Sequence, residues 1–344
     1  MKKLNEKINS LEKENAELKE KVAILEGKSN QKNSSNSSTP PSKDEYKVQN
    51  HREKSNRKQG GQKGRQGKTL TVEDVEKITE FLKILTNNII RVSHGSLVNW
   101  VHEVSNKCRK SKKKLIRAIK KSKLLYTDAT PTSLKGKYAY VRNYSNEVIT
   151  VLEASLSKRI QEIQRQNILP NFRNYIMHDH ETGLYNFGIK SHHLECWIHL
   201  GRELKYFDEY IKNSWSKELW KFAWNLNKKR KELLQNNNTQ FTSEEIIEYE
   251  KEYDEIIQNG IKQNKNTPSK YLKDKERAVL NRLIKYKENY LNYLKDFEFP
   301  FDDNLSERDL RATKLKKKVS GCHRAFEGLK DYSNIRTIIS TCIK

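Results

Sequence analysis

The chain has 344 residues, long enough to bury a real core, yet hydrophobic residues make up only 34% against 33% charged, so much of it must be solvated helix, linker or tail. Its 68 Lys and Arg against 44 Asp and Glu leave a formal net charge of +24, spread along most of the length, the footprint of a protein that meets a polyanion such as nucleic acid. No apolar run approaches the ~20 residues needed to span a bilayer, and the N-terminus MKKLNEKINSLEKENAELKEK lacks the apolar centre of a signal peptide, which excludes a membrane protein and points to the cytoplasm. Cys108, Cys196, Cys322 and Cys342 form no CxxC pair, which argues against a disulfide framework or a four-cysteine zinc site.

Leu4, Leu11, Leu18 and Leu25 recur every seven residues, with Ile8, Asn15 and Val22 between them. Leucine at d with Ile8 and Val22 at a predicts a parallel two-stranded coiled coil over residues 1–28, registered by a buried Asn15, and hence a homodimer or higher oligomer. The alternative is one amphipathic helix packed on its own chain. After Gly27 the stretch SNQKNSSNSSTPPSKDE has no apolar residue to repay ordering, so residues 29–70 read as a polar linker followed by a basic strip. In that strip Arg52, Lys54, Arg57, Lys58, Lys63, Arg65 and Lys68 are interleaved with Gly and Gln, which suits phosphate contacts on DNA or, more blandly, a solubilising tail.

Residues 71–120 read as a small helical region, VEDVEKITEFLKILT and then SHGSLVNWVHEVSNK, with Ser93 or Ser96 as cap and the outline of a helix-turn-helix. The period then changes. LLYTDATP, KYAYVRNY and EVITVLEA are short runs rich in Tyr, Val, Ile and Thr, parted by turn signals, and predict a three-stranded meander. LSKRIQEIQRQ predicts a helix and NYIMHDH a further strand, an order that fits an α/β fold with a mixed sheet covered by helices. Beyond Trp197 the pattern is helical almost to Leu294, and residues 205–295 read as a helical insertion. DFEFPFDDNLSERDLR breaks that pattern at Pro300 and opens a new helix near Asn304.

Asp128 and Asp179 fall at the ends of predicted strands, and Glu307 on the first turns of a helix. Phosphodiester cleavage by two divalent metals needs carboxylates converging from different elements, and oxygen donors select Mg²⁺ or Mn²⁺. With 44 acids available, spacing alone does not single out this triple, and the plain alternative for each is a surface carboxylate beside a lysine.

The wording around the three acids is more specific. TDATPTSLKGKYAYVRNYS, then HDHETGLYNFG with LECWIHLGREL, then FPFDDNLSERDLR resemble in order the signature regions of the insertion-sequence sixty-six family of transposases. ENAELKEKVAILEG, NSSNSSTPPSKD and GGQKGRQGKT resemble that family's coiled coil, linker and basic strip, and KVSGCHRAFEG and IRTIISTCIK its last helices. The resemblance implies a ribonuclease-H-like core, residues 121–204 and 296–344, split by the helical insertion. It implies metal ligation and catalysis by Asp128, Asp179 and Glu307, and DNA element ends and target as partners of a bacterial, nucleoid-associated enzyme. Arg308 and Arg311 become phosphate contacts beside the glutamate, and Asn304 a cap or a guide for Glu307. Three departures accompany it. No cysteine-rich zinc module separates the basic strip from the core, the chain stops at Lys344 where the last helix is expected to run further, and Ala129 stands where many relatives have an acid. These keep two rivals in view: an inactive, internally deleted remnant that only binds DNA, and a ribonuclease-H-like nuclease without strand transfer.

His192, His193, Cys196 and His199 form an HHxxCxxH cluster with zinc-like spacing. The competing reading puts Cys196 and His199 on a helix beside the second aspartate, with His199 or Arg202 near the scissile phosphate. His178 and His180 alternate with Asp179 and are expected behind the site or toward solvent.

Overall fold

The computed structural model describes residues 72–185 and 190–344, so the heptad seam, the linker and the basic residues Arg52, Arg57, Lys58, Lys63 and Arg65 lie outside the described residues. Two helices, α1 (Val72–Leu85) and α2 (His94–Ile119), come first, and the Ser93 hydroxyl caps α2 by accepting from the Ser96 N–H at 3.0 Å. The second helix runs well past Lys107, and its last turns place Leu115, Ile116 and Ile119 against the sheet.

Six strands form one mixed sheet: β1 (Leu124–Tyr126), β2 (Ala129–Leu134), β3 (Lys137–Ser145), β4 (Thr150–Ser155), β5 (Tyr175–His178) and β6 (His192–Glu195). β3 pairs antiparallel with β2 and touches β1 at Ser145 along one edge, and it pairs antiparallel with β4 along the other. β1 continues the sheet parallel to β5, and β5 parallel to β6. Strand alternation gives each face its own core. Leu125, Tyr144, Val151 and Ile176 pack toward α2 and α3 (Ile160–Gln166), whereas Tyr126, Met177 and Leu194 pack toward the helices that follow β6. After β5 comes a single turn, α4 (Thr182–Tyr185).

Those later helices are α5 (Trp197–Tyr210), α6 (Ser214–Gln235), α7 (Ser243–Asn264), α8 (Lys270–Lys285) and α9 (Lys287–Lys295). Their apolar faces close one cluster through Leu204, Phe207, Trp215, Leu219, Tyr253, Ile257, Leu280 and Leu291. Glu276 is fully buried within it, and its carboxylate accepts from Trp215 Nε1 at 2.6 Å, Asn264 Nδ2 at 2.7 Å, Asn213 Nδ2 at 2.8 Å and Thr267 Oγ1 at 2.8 Å, which is what makes a charge tolerable there.

The chain returns to the sheet through Phe297, Phe299 and Phe301, all buried. The Arg230 guanidinium on α6 donates to the carbonyls of Phe297 and Phe299, and the Trp197 N–H donates to the Phe301 carbonyl at 3.1 Å. This fixes the entry to α10 (Asn304–Ser320), after which α11 (Phe326–Ile343) lies along β4. Thr337 Oγ1 accepts from the Leu152 N–H at 2.9 Å, Thr341 Oγ1 accepts from the Thr150 N–H at 3.1 Å, and Lys112 Nζ donates to the Leu152 carbonyl at 2.6 Å. An edge strand's unpaired backbone groups are thereby covered by two helices. Among the described residues no helix is long and apolar enough to cross a membrane.

At Gly201 in the middle of α5 an added Cβ would come within 3.0 Å of three atoms of the Trp220 ring. Gly201→Ala is expected to destabilise the fold by about 1–3 kcal/mol, read as a lower midpoint in urea unfolding followed by circular dichroism.

Candidate active site

The parallel register that sets Tyr126 beside Met177, carried two residues further, brings Asp128 next to Asp179 just beyond the carboxyl ends of β1 and β5. This is the edge of an α/β sheet at which ligands are bound. Burial first, and then the charge of Asp179, push the Asp128 carboxyl up, against the pull of Lys158, of the Ala129 N–H and of Arg142. The Ala129 N–H donates to Asp128 Oδ1 at 2.5 Å. So Ala129, the departure noted in the sequence, serves the aspartate through its backbone.

Glu307 sits in the first turn of α10, and α10 is docked on the sheet by Ser306, whose hydroxyl accepts from Asn143 Nδ2 at 3.1 Å. Asn143 is fully buried, and its Oδ1 accepts from the Asp128 N–H at 2.7 Å, so one amide spans the elements that carry two of the three acids. The Glu307 carboxylate faces α5, with Oε1 at 3.4 Å from His199 Nε2 and 3.3 Å from Arg202 NH2. The residues read as lying near a scissile phosphate thus meet the glutamate itself. Among the described residues no three His, Cys, Asp or Glu side chains are gathered closely enough to hold a metal ion.

The sequence reading missed a fourth acid. Asp303 is 1% exposed, and neither of its carboxylate oxygens finds a hydrogen-bond partner among the described residues. Burial holds its carboxyl well above the ordinary carboxylate range; the adjacent Ser306 hydroxyl opposes that, while the charges of Asp128, Asp179 and Glu307 add to it. Its position as N-cap of α10 would normally turn the side chain to the helix N–H groups, but it makes no cap bond. Asn304, expected as a cap, is instead the first helical residue, exposed, and its N–H donates to Asp302 Oδ1 at 3.0 Å. The one visible signal was the Asp302-Asp303 doublet before the helix.

Cationic groups ring these acids. Arg142 is 2% exposed and its guanidinium meets Glu181 Oε1 at 2.6 Å and Thr127 Oγ1 at 3.3 Å. Both residues lie inside segments that carry Asp128 and Asp179, and neither was singled out in the sequence because only the fold brings them together. Arg308 and Arg311 are exposed on α10, Arg311 one turn beyond Glu307. Arg308 helps line a cavity of about 430 Å³ with Arg336 and Lys344, away from the acids.

The HHxxCxxH residues are spread over β6 and α5 and take separate partners. His193 Nδ1 lies 2.9 Å from His178 Nε2, and burial first, then His178, lowers the His193 imidazole to about 4. Cys196 Sγ accepts from the Asp303 N–H at 3.3 Å and lies 3.2 Å from His199 Nδ1, and burial pushes its thiol up to about 12, so it stays a neutral acceptor joining α5 to α10. His178 is fully buried and His180 Nδ1 lies 2.7 Å from Glu195 Oε1, so neither faces solvent; Tyr185 also donates to Glu195 and stacks on His193.

A family model described as Transposase IS66 family matches residues 78–331, a span that takes in Asp128, Asp179, Asp303 and Glu307. No curated protein matches the chain.

The raised Asp303 carboxyl has a consequence for stability. A folded-state value above the unfolded one means that the folded form holds the proton more tightly, so this group's stabilisation is complete below the ordinary carboxylate range and is lost as pH rises through it toward the folded value. In metal-free buffer Asp303→Asn is expected to raise the unfolding free energy at neutral pH by about 1 kcal/mol or more, seen as a higher thermal midpoint, and to leave that midpoint unchanged or lower at pH 3, measured by thermal denaturation across that range.

Proposed function

Because the chain belongs to the IS66 family of transposases, we propose that it cuts and rejoins DNA at the ends of an insertion element, with Asp128, Asp179 and Glu307 as its catalytic and metal-binding acids. The observation that carries this reading is the pair of aspartates just beyond the ends of two adjacent parallel strands, with burial and then the charge of Asp179 raising the Asp128 carboxyl. The sheet order, with an antiparallel β2–β3–β4 meander and parallel β5 and β6, supports reading residues 121–204 and 296–344 as a ribonuclease-H-like core into which the helical insertion is set. The donors suit Mg²⁺ or Mn²⁺: carboxylate oxygens throughout, and among them a buried carboxylate with no partner of its own. Such ions, when bound, lower the pKa of water and neutralise the oxygen that leaves phosphorus.

The chain's own residues then have separable tasks. Asp128 and Asp179 present oxygens from rigid strand ends, and Asn143 keeps Asp128 and the start of α10 at a fixed separation. Glu307 approaches from α10, where the exposed Arg311, one turn on, and the helix's positive end favour a phosphate, whereas Arg308 turns to the cavity with Arg336 and Lys344. Water attacks phosphorus at the element end and displaces a 3′-hydroxyl, and that hydroxyl then attacks a phosphorus of target DNA and displaces the target's own 3′-oxygen, so each P–O bond formed replaces one broken. Arg52, Arg57, Lys58, Lys63 and Arg65 add backbone contacts ahead of the core, residues 1–28 pair two copies as a coiled coil, and the protein acts in the bacterial cytoplasm on the nucleoid. A second reading, a remnant that binds DNA without cutting it, draws on the pairing of Glu307 with His199 and Arg202 in place of the aspartates.

With a labelled element end and Mg²⁺, the wild-type chain is expected to cleave and join, and Asp128→Asn to lose more than about 100-fold of that rate while keeping DNA affinity. Binding without cleavage by both proteins selects the remnant, and cleavage without joining selects a nuclease. Replacing Arg52, Arg57, Lys58, Lys63 and Arg65 together by Ala is expected to flatten the slope of log affinity against log salt by roughly 4–5, measured by fluorescence anisotropy on duplex DNA.

A further inference from the structure

The face of α5 that meets Glu307 does not end there. On a helix, His199, Arg202, Tyr206 and Tyr210 fall within one narrow stripe, and the stripe runs roughly 12 Å from Arg202 to Tyr210 at the helical rise. Tyr206 and Tyr210 are ring neighbours at 4.5 Å between centroids. From the adjacent α8, Lys275 Nζ stands 4.0 Å over the Tyr206 ring and 5.9 Å from the Tyr271 ring. Tyr210 is 38% exposed and Tyr271 66% exposed, so both rings are open to a ligand from solvent.

Of the acids bordering the stripe, Glu307 pairs with Arg202 at its near end, and the others are engaged off it. Glu203 pairs with Arg282 at 3.1 Å, Asp274 with Arg277 at 2.6 Å, and Glu209 with Lys205 at 3.6 Å. Beyond that pair the stripe offers the Lys275 cation and the exposed rings of Tyr210 and Tyr271, next to the proposed cleavage site. Single strands are held by that combination, in which rings stack on bases and cations follow the phosphates, whereas a duplex hides its base faces.

Resting on the transposase reading, we propose that the Arg202–Tyr206–Tyr210 stripe of α5, with Tyr271 and Lys275 of α8, binds the single-stranded DNA that leaves the acidic site, bases on the tyrosines and phosphates on Arg202 and Lys275. The stripe gives the helical insertion a task of its own: it keeps the separated strand from re-pairing beside the cut.

The test uses the full chain and a fluorescent oligothymidylate, with a second oligonucleotide carrying 2-aminopurine to report stacking. Tyr210→Ala and Lys275→Ala, both away from the core clusters, are expected to weaken single-strand binding by roughly 5- to 150-fold and to abolish the quenching of 2-aminopurine, while Tyr210→Trp keeps both. Duplex affinity stays at the wild-type value in all three, and Tyr138→Ala on the β2–β3 hairpin changes nothing. Unchanged single-strand affinity in Tyr210→Ala and Lys275→Ala, or an equal loss on duplex, overturns the proposal. Failure of Mg²⁺-dependent cleavage with the single-strand preference intact would count against the transposase reading alone.

Discussion

Between Thr127 and Asp128 the strand at the centre of the sheet changes partners, and the backbone there needs a hydrogen bond that neither neighbouring ladder supplies. The Thr127 N–H still donates to Met177 of β5 at 3.0 Å, whereas the Asp128 N–H turns to the Asn143 side chain. Asn143 meets the rest of that need as well. Its N–H donates to the Asp128 carbonyl at 3.0 Å, its carbonyl accepts from Thr127 Oγ1 at 2.8 Å, and its amide nitrogen donates to Ser145 and Ser306. A buried amide with every group satisfied is rigid, and one left half-satisfied is costly, so the break is held in one geometry. From it follow the direction of Asp128, the docking of α10 and the approach of Glu307.

That geometry works against stability. Asp128 and Asp303 lie near Asp179 and Glu307, and burial disfavours the ionised form of both Asp128 and Asp303. The compensation is local: Arg142 and Glu181 form a buried pair beside the acids, and Lys158 lends its charge from the surface. Folds tolerate such a concentration of unfavourable terms where a ligand's charge will complete the balance, and a site for divalent cations is one case.

Much of the strand order was legible because it is written in a period of two: LLYTDATP, KYAYVRNY and EVITVLEA occupy β1 to β4, and NYIMHDH contains β5. The sequence could not show that LLYTDATP is two strands, because the break depends on Asn143, some fifteen residues away. β6 escaped because four residues, two of them histidine, carry no readable alternation, and the same letters invited a zinc reading. The acids at 128, 179 and 307 were visible as motif text and as element ends. Asp303, Asn143, Arg142 and Glu181 were not, since their significance lies in contacts across the sheet rather than in spacing along the chain. Local chemistry told of Ser93 as a cap but misled at Asn304, where the adjacent Asp303 takes the cap position while its side chain is held inside.

α5 joins the acids to the helices that follow it. α5 buries Leu200, Leu204 and Phe207 on one side and presents His199 and Arg202 to Glu307 on another, so its depth against the core sets the reach of both side chains. That depth is fixed at Gly201, where the Trp220 ring occupies the space a side chain would need, and by Cys196, whose sulfur accepts from the first backbone group of the α10 entry. Aromatic packing of Trp197 on Phe301, with rings 5° from parallel, ties the same two elements at their other contact. Movement of α5 by the width of one methyl group would therefore be felt at Glu307.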